Sequence, residues 1–139
     1  MSGAPPEATA AMSVAAVMLR AARRLTADIE AELQSDQLGI DHWLAIDALA
    51  SASGLTMAEL QARTLTAGPT QTRVVDKLVT HSLAYREVDA LDRRKVRVYL
   101  GKRGVDLHER LVASVTAVED EWLTSQGSLV RDRIAAALD

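Results

Sequence analysis

The side chains of this 139-residue chain best suited to chemistry are cationic, and they are concentrated. Between Arg63 and Arg110 stand 11 lysines and arginines against 6 aspartates and glutamates. The remainder holds the other 5 of 16 basic residues against 13 of 19 acidic ones. A cationic zone on a chain of net charge −3 is the footprint of one surface built to meet phosphate while the others are not. Two groups inside the zone have the spacing of a contact surface. Arg93, Arg94 and Lys95 are consecutive, and Thr70, Thr72, Arg73 and Lys77 share the outer face of a helix. Guanidinium groups pair with phosphates and guanine edges, and threonine offers a hydroxyl to phosphate or a methyl to thymine.

Other chemistries find little support. With no cysteine there is no disulfide, no thiolate metal site and no switch based on thiol oxidation. His42, His81 and His108 show no metal-ligand spacing with one another; His108 with Glu109 suggests at most part of a composite site, and a solvated His108 is the expectation. A nucleophile elbow, a phosphate-binding glycine loop and a metalloprotease signature are all missing, so neither an enzyme nor a cofactor is expected. Trp43, Trp122, Tyr85 and Tyr99 are the only aromatics, too few for a platform that stacks nucleobases. No apolar run approaches the roughly 20 residues that cross a bilayer, and Met1 to Ala11 lacks the pattern of a signal peptide. The expectation is a frayed tail on a cytoplasmic protein that does not touch membranes.

The elements that would position the cations follow from periodicity. Val14, Met18, Ala21, Leu25, Ile29 and Leu33 draw one stripe along a long helix expected to stop near Gly39. A second helix spans His42 to Ala52, with Trp43, Ile46 and Leu49 inward. Thr56-Met57-Ala58-Glu59 fits a capping box that starts a short third helix. Gly68-Pro69 opens a fourth, with Val74, Val75, Leu78 and Val79 inward. Strands follow at Leu83 to Val88 and at Val96 to Leu100, joined by a charged tip, Asp89 to Lys95. A helix-turn-helix followed at once by such a hairpin is a winged helix. Leu107, Leu111, Val115, Val118 and Trp122 mark a long helix after Gly104, and residues 128 to 138 a final one. The fold class is mainly α with a small two- or three-stranded β wing.

The run Asp89-Ala-Leu-Asp92-Arg93-Arg94-Lys-Val-Arg-Val98-Tyr-Leu100-Gly-Lys-Arg-Gly104 resembles the wing of the MarR family of bacterial transcriptional regulators. Thr72 to Leu78 is similar to the second half of that family's recognition helix, and the likeness extends over nearly the whole chain. It departs from the family at Thr64-Leu65, where leucine-glycine is usual, at Gly68-Pro69, at Gln71, usually apolar and inward, and at Gly101, usually a threonine or serine cap. The resemblance implies a single domain, 1–139, in which 12–38 and 102–139 form a dimerisation region and 40–101 a winged lobe. It also implies a homodimer on double-stranded DNA at a near-palindromic operator, and often a small-molecule effector.

On this reading Thr70, Thr72, Arg73, Lys77, Arg93, Arg94 and Lys95 meet DNA. Arg94 aligns with the family's groove-reaching arginine, Asp92 orients it, and Arg97 adds phosphate attraction. Leu111, Val115 and Val118 lie at the dimer interface, Trp43 and Trp122 pack in the core, and no effector residue is assigned. A repressor released by its effector is the leading function. The alternatives are a protein-interaction module, suggested by the atypical turn and Gln71, and an architectural DNA-binding protein without effector control.

Overall fold

The computed structural model describes residues 13–126 and Ala136; the tail Met1 to Ala11 and nearly all of the helix expected over 128–138 lie outside them. Helix α1 (Val14–Leu33) starts where the Ser13 hydroxyl accepts the Ala16 N–H. Its apolar stripe divides in two. Ile29 and Leu33 are buried, with Leu25 packed on the same core, whereas Val14, 73% exposed, faces solvent together with Val17, Met18 and Leu19.

The following turn differs from the expectation at Gly39. After one 3-10 turn (Gln34–Asp36), Gln37 takes the left-handed conformation at φ 58°. Gly39 is extended and starts helix α2 (Ile40–Ala50), two residues before His42. The cause is a cap supplied from both outside and inside the helix. Glu30 Oε2 accepts the Ile40 N–H at 2.9 Å, and His42 Nδ1 accepts the Gly39 N–H at 3.0 Å. Burial first, and the Lys77 ammonium next, push the pKa of His42 below the usual value.

Strand β1 (Leu55–Thr56) leads directly into helix α3 (Met57–Thr64). The expected capping box forms, with Thr56 Oγ1 accepting the Glu59 N–H at 3.1 Å and Glu59 Oε1 accepting the Thr56 N–H at 2.9 Å. Helix α4 (Gly68–Thr80) is followed by β2 (Ala84–Val88) and β3 (Val96–Leu100). The sheet has three antiparallel strands in the order β1-β3-β2, with Leu55 opposite Val98 and Tyr85 opposite Tyr99. Val98 enters the core, while Tyr85 and Tyr99 stack on the other face, centroids 5.3 Å apart.

Helix α5 (Lys102–Gln126) returns along α1 and α2. Its stripe corrects one expectation. Leu111 and Val115 are buried in the chain's own core, so they offer little to a second subunit. Leu107, Leu111 and Val115 are covered within one chain, whereas Val118, packed at the core's edge, and Trp122 stay half-buried. Among the described residues, the large apolar side chains left open on the two long helices are Val105 on α5 and the group on the first two turns of α1.

The turn between α3 and α4 passes through Leu65, left-handed at φ 56°, where glycine would carry no Cβ penalty. Leu65 is 84% exposed and gains little from burial. Leu65→Gly is expected to stabilise the fold by about 1 kcal/mol, read as an upward shift of the urea midpoint at unchanged slope.

Candidate nucleic-acid interface

Helix α4 is seated by a polar clamp. Gln71 is 3% exposed, the one buried polar residue among those described. Its Nε2 donates to the Met57 carbonyl at 2.8 Å and its Oε1 lies 3.2 Å from Thr64 Oγ1. Burying an amide is tolerable when both ends are satisfied. Two departures of this sequence, at Thr64 and Gln71, thus form one unit that joins α3 to α4 across the turn.

The outer face of α4 then presents Thr72 and Arg73, both exposed, with Thr70 half-buried beside them. Thr72 Oγ1 donates to the Gly68 carbonyl at 3.1 Å. Arg73 Nη2 donates to Thr70 Oγ1 at 3.4 Å and has no ion pair among the described residues. Lys77 is placed differently. It is half-buried and its Nζ donates to the Gln37 carbonyl in the α1–α2 turn, so its ammonium, unlike the Arg73 guanidinium, is already engaged by a backbone carbonyl. Asp76 pairs with Arg86 and ties α4 to β2.

The wing is organised around Asp89. Its Oδ1 accepts the Leu91 N–H at 2.7 Å and its Oδ2 accepts Arg97 Nε at 2.7 Å. Leu91 first, and then Arg97, hold the Asp89 carboxyl below the usual carboxylate range. Arg97 continues to Glu59 Oε1 at 2.9 Å and the Gly54 carbonyl at 3.4 Å. Arg97 is accordingly corrected from a phosphate contact to an internal tie between wing and α3, because two carboxylates already occupy its guanidinium. Arg93, Arg94 and Lys95 are exposed. The Arg94 side chain is 91% exposed, and Asp92 Oδ1 accepts both its backbone N–H at 3.1 Å and its Nε at 3.2 Å.

The remaining candidates lie apart from this surface. His108 stacks on buried Trp43 with centroids 5.3 Å apart and reaches Asp47 Oδ1 at 2.9 Å; it is a packed residue and not a solvated one. Trp122 is half-buried. Among the described residues no group of three or more His, Cys, Asp or Glu could hold a metal ion, and no helix is long and apolar enough to cross a membrane.

The comparisons agree with this geometry. The MarR family profile matches residues 36–95, from the turn before α2 to the wing tip. No curated protein matches the sequence. Among solved structures, a MarR family regulator from Silicibacter pomeroyi is 28% identical, covering 88% of this chain and 82% of its own, with a TM-score of 0.74. Bordetella bronchiseptica BpsR, whose DNA binding is regulated by 6-hydroxynicotinic acid, is 22% identical over 90% of this chain and 95% of its own, with a TM-score of 0.79. S. aureus MepR, solved in complex with DNA, is 19% identical over 91% and 94%, with a TM-score of 0.78. The family match falls on the segment that carries the helix-turn-helix and the wing tip, and the fold likeness extends over nine-tenths of the chain. Residues 36–95 carry the MarR family pattern, and the chain has the winged helix-turn-helix fold of a DNA-binding transcriptional regulator, similar to the solved MarR regulators over nine-tenths of its length.

Proposed function

We propose that this regulator is a sequence-specific repressor that sits as a homodimer on a near-palindromic operator and leaves it when a small molecule binds. The observation that carries the DNA reading is the set of exposed cations, of which Arg94 alone has an ion pair among the described residues, with Asp92. Arg73 stands on α4, and Arg93, Arg94 and Lys95 stand on the wing of a chain whose net charge is negative. Thr70, Thr72 and Arg73 are assigned to the major groove and its flanking phosphates. Arg94 is assigned to the minor groove, with Asp92 holding it ready, and Arg93 and Lys95 to phosphates. Lys77, tethered to Gln37, is left out of the contact surface. The effector step is supported by the likeness to BpsR, and the DNA-bound form by the likeness to MepR.

The dimer is supported by the open apolar residues of α1, Val14, Val17, Met18 and Leu19, since an exposed stripe on a long helix marks an interaction surface. Residues 12–38 and 102–139 are assigned to dimerisation, and 40–101 to the DNA-binding lobe. Sedimentation is expected to show a dimer at micromolar concentration, and Val17→Asp with Leu19→Asp a folded monomer. A folded monomer in the unmodified protein would overturn the assignment. An electrophoretic shift with the region upstream of the protein's own coding sequence tests the function. Sequence-specific retention supports the regulator, uniform retention an architectural protein, and no retention an interaction module.

A further inference from the structure

Leu91 stands at the tip of the wing and is 98% exposed. A lone exposed leucine calls for no account by itself. This one differs in how it is held. Its N–H is bound by Asp89, which also takes a longer bond of 3.4 Å from the Asp92 N–H. Asp89 is gripped by Arg97, and Arg97 reaches Glu59, the residue that caps α3. A chain of charge-assisted hydrogen bonds therefore runs from the first helix of the helix-turn-helix to the backbone of this leucine. Past it in the chain, Arg93, Arg94 and Lys95 are all exposed. The tip is an apolar point followed in the chain, after Asp92, by three exposed cations, with its backbone held by Asp89 before any partner arrives.

The complementary surface has anionic rims and apolar walls. The minor groove of DNA has both: phosphates line its mouth, and deoxyribose rings form its sides. Apolar side chains are known to enter it, and a rigid loop binds without the entropy loss of ordering. We propose that Leu91 is a DNA contact that enters the minor groove beside Arg94 and lays its side chain against the sugar walls. The inference rests on the DNA-binding reading above and adds a specificity element to it. Arg94 supplies an attraction that fades with salt. Leu91 supplies one that does not, and it disfavours guanine beneath the wing, because only G·C pairs carry an N2 amino group in the minor groove.

The test uses full-length protein and a duplex selected by the wild type from a random pool. Fluorescence anisotropy gives affinities over a range of salt for wild type, Leu91→Ser and Leu91→Met, and thermal melting confirms that all three are folded. Leu91→Ser is expected to lose about tenfold in affinity per wing at every salt concentration, with the log-log slope unchanged, and Leu91→Met to lose little. Hydroxyl-radical footprints then locate the A·T pairs beneath the wing. Changing them to I·C keeps the A·T pattern of the minor groove, and changing them to G·C adds the amino group. Wild type should discriminate against G·C relative to I·C, and Leu91→Ser should do so much less. If Leu91→Ser binds the selected duplex like the parent, the proposal is overturned while the DNA-binding reading stands. A loss accompanied by a flatter salt slope would assign the effect to the neighbouring cations and overturn it as well. Failure of wild type to retain any duplex defeats both readings.

Discussion

Arg94→Ala is expected to weaken binding to every duplex tested and to flatten the log-log salt dependence by about 0.9 for each phosphate-equivalent charge removed from the interface, so by about twice that for a dimer. The expectation follows from how the side chain stands in the free protein. It is almost wholly exposed, yet Asp92 holds it at two points, backbone and Nε. A surface pair of this kind contributes little to stability, so the substitution should leave the melting temperature nearly unchanged. What it removes is a guanidinium already aimed outward, to which a narrow minor groove offers enhanced negative potential. Arg97→Ala should behave otherwise. Its guanidinium faces Asp89 and Glu59, so its loss frees the wing tip and lowers affinity with little change in slope. Parallel salt titrations of the two variants separate a residue that meets DNA from one that positions the residues that do.

Gly104→Ala is expected to be strongly destabilising. A Cβ there would lie 2.1 Å from the Leu83 carbonyl oxygen and 3.0 Å from Leu100 Cδ2. The carbonyl belongs to the backbone and is fixed by the Gly101 N–H at 3.0 Å, so it cannot step aside alone. Either α5 or the start of β2 must shift, at a cost of about 3 kcal/mol or more and a fall in melting temperature on the order of 10 °C. Gly101→Ala is the control. Its nearest neighbours would be at ordinary van der Waals distance, 3.7 Å from the Ser82 carbonyl oxygen and 3.8 Å from that of Leu83, and it should melt close to the parent. Equal melting of Gly104→Ala and the parent would mean that the junction of wing and α5 is looser than the packing described.

These residues also show which parts of the architecture are legible in sequence. Stripes, alternation and the Thr56–Glu59 capping box are local patterns, and these elements appear within a residue or two of their expected places, the end of α1 excepted. Gly104 is readable as a motif position, but the carbonyl it makes room for is 21 residues earlier in the chain. What local pattern does not show is which partner a side chain finds. Lys77 and Arg73 look alike on a helix face, yet Lys77 is taken by a carbonyl 40 residues away. Arg97 reads as one more cation of the wing until Glu59, 38 residues earlier, is brought against it. Leu111 and Val115 show that a stripe signals burial without saying against what. Gln71 is the converse case. It reads as a defect in an apolar face, and the rival interaction-module reading leaned on it. In the fold its amide is satisfied by Thr64 and Met57, and α4 keeps its place against α3.

The central claim is that α4 and the wing read DNA sequence, and the ratio of affinities for the selected duplex and a scrambled one tests it most directly, measured for wild type and Arg73→Ala. Arg73 is exposed and meets only Thr70 among the described residues, so its removal should spare the fold. The account predicts a marked preference in the wild type. It further predicts that Arg73→Ala costs about 1–3 kcal/mol on the selected duplex and less on the scrambled one, with relaxed preference at one base position in each half-site. Equal binding of the two duplexes by the wild type, or a ratio that Arg73→Ala leaves untouched, would contradict it.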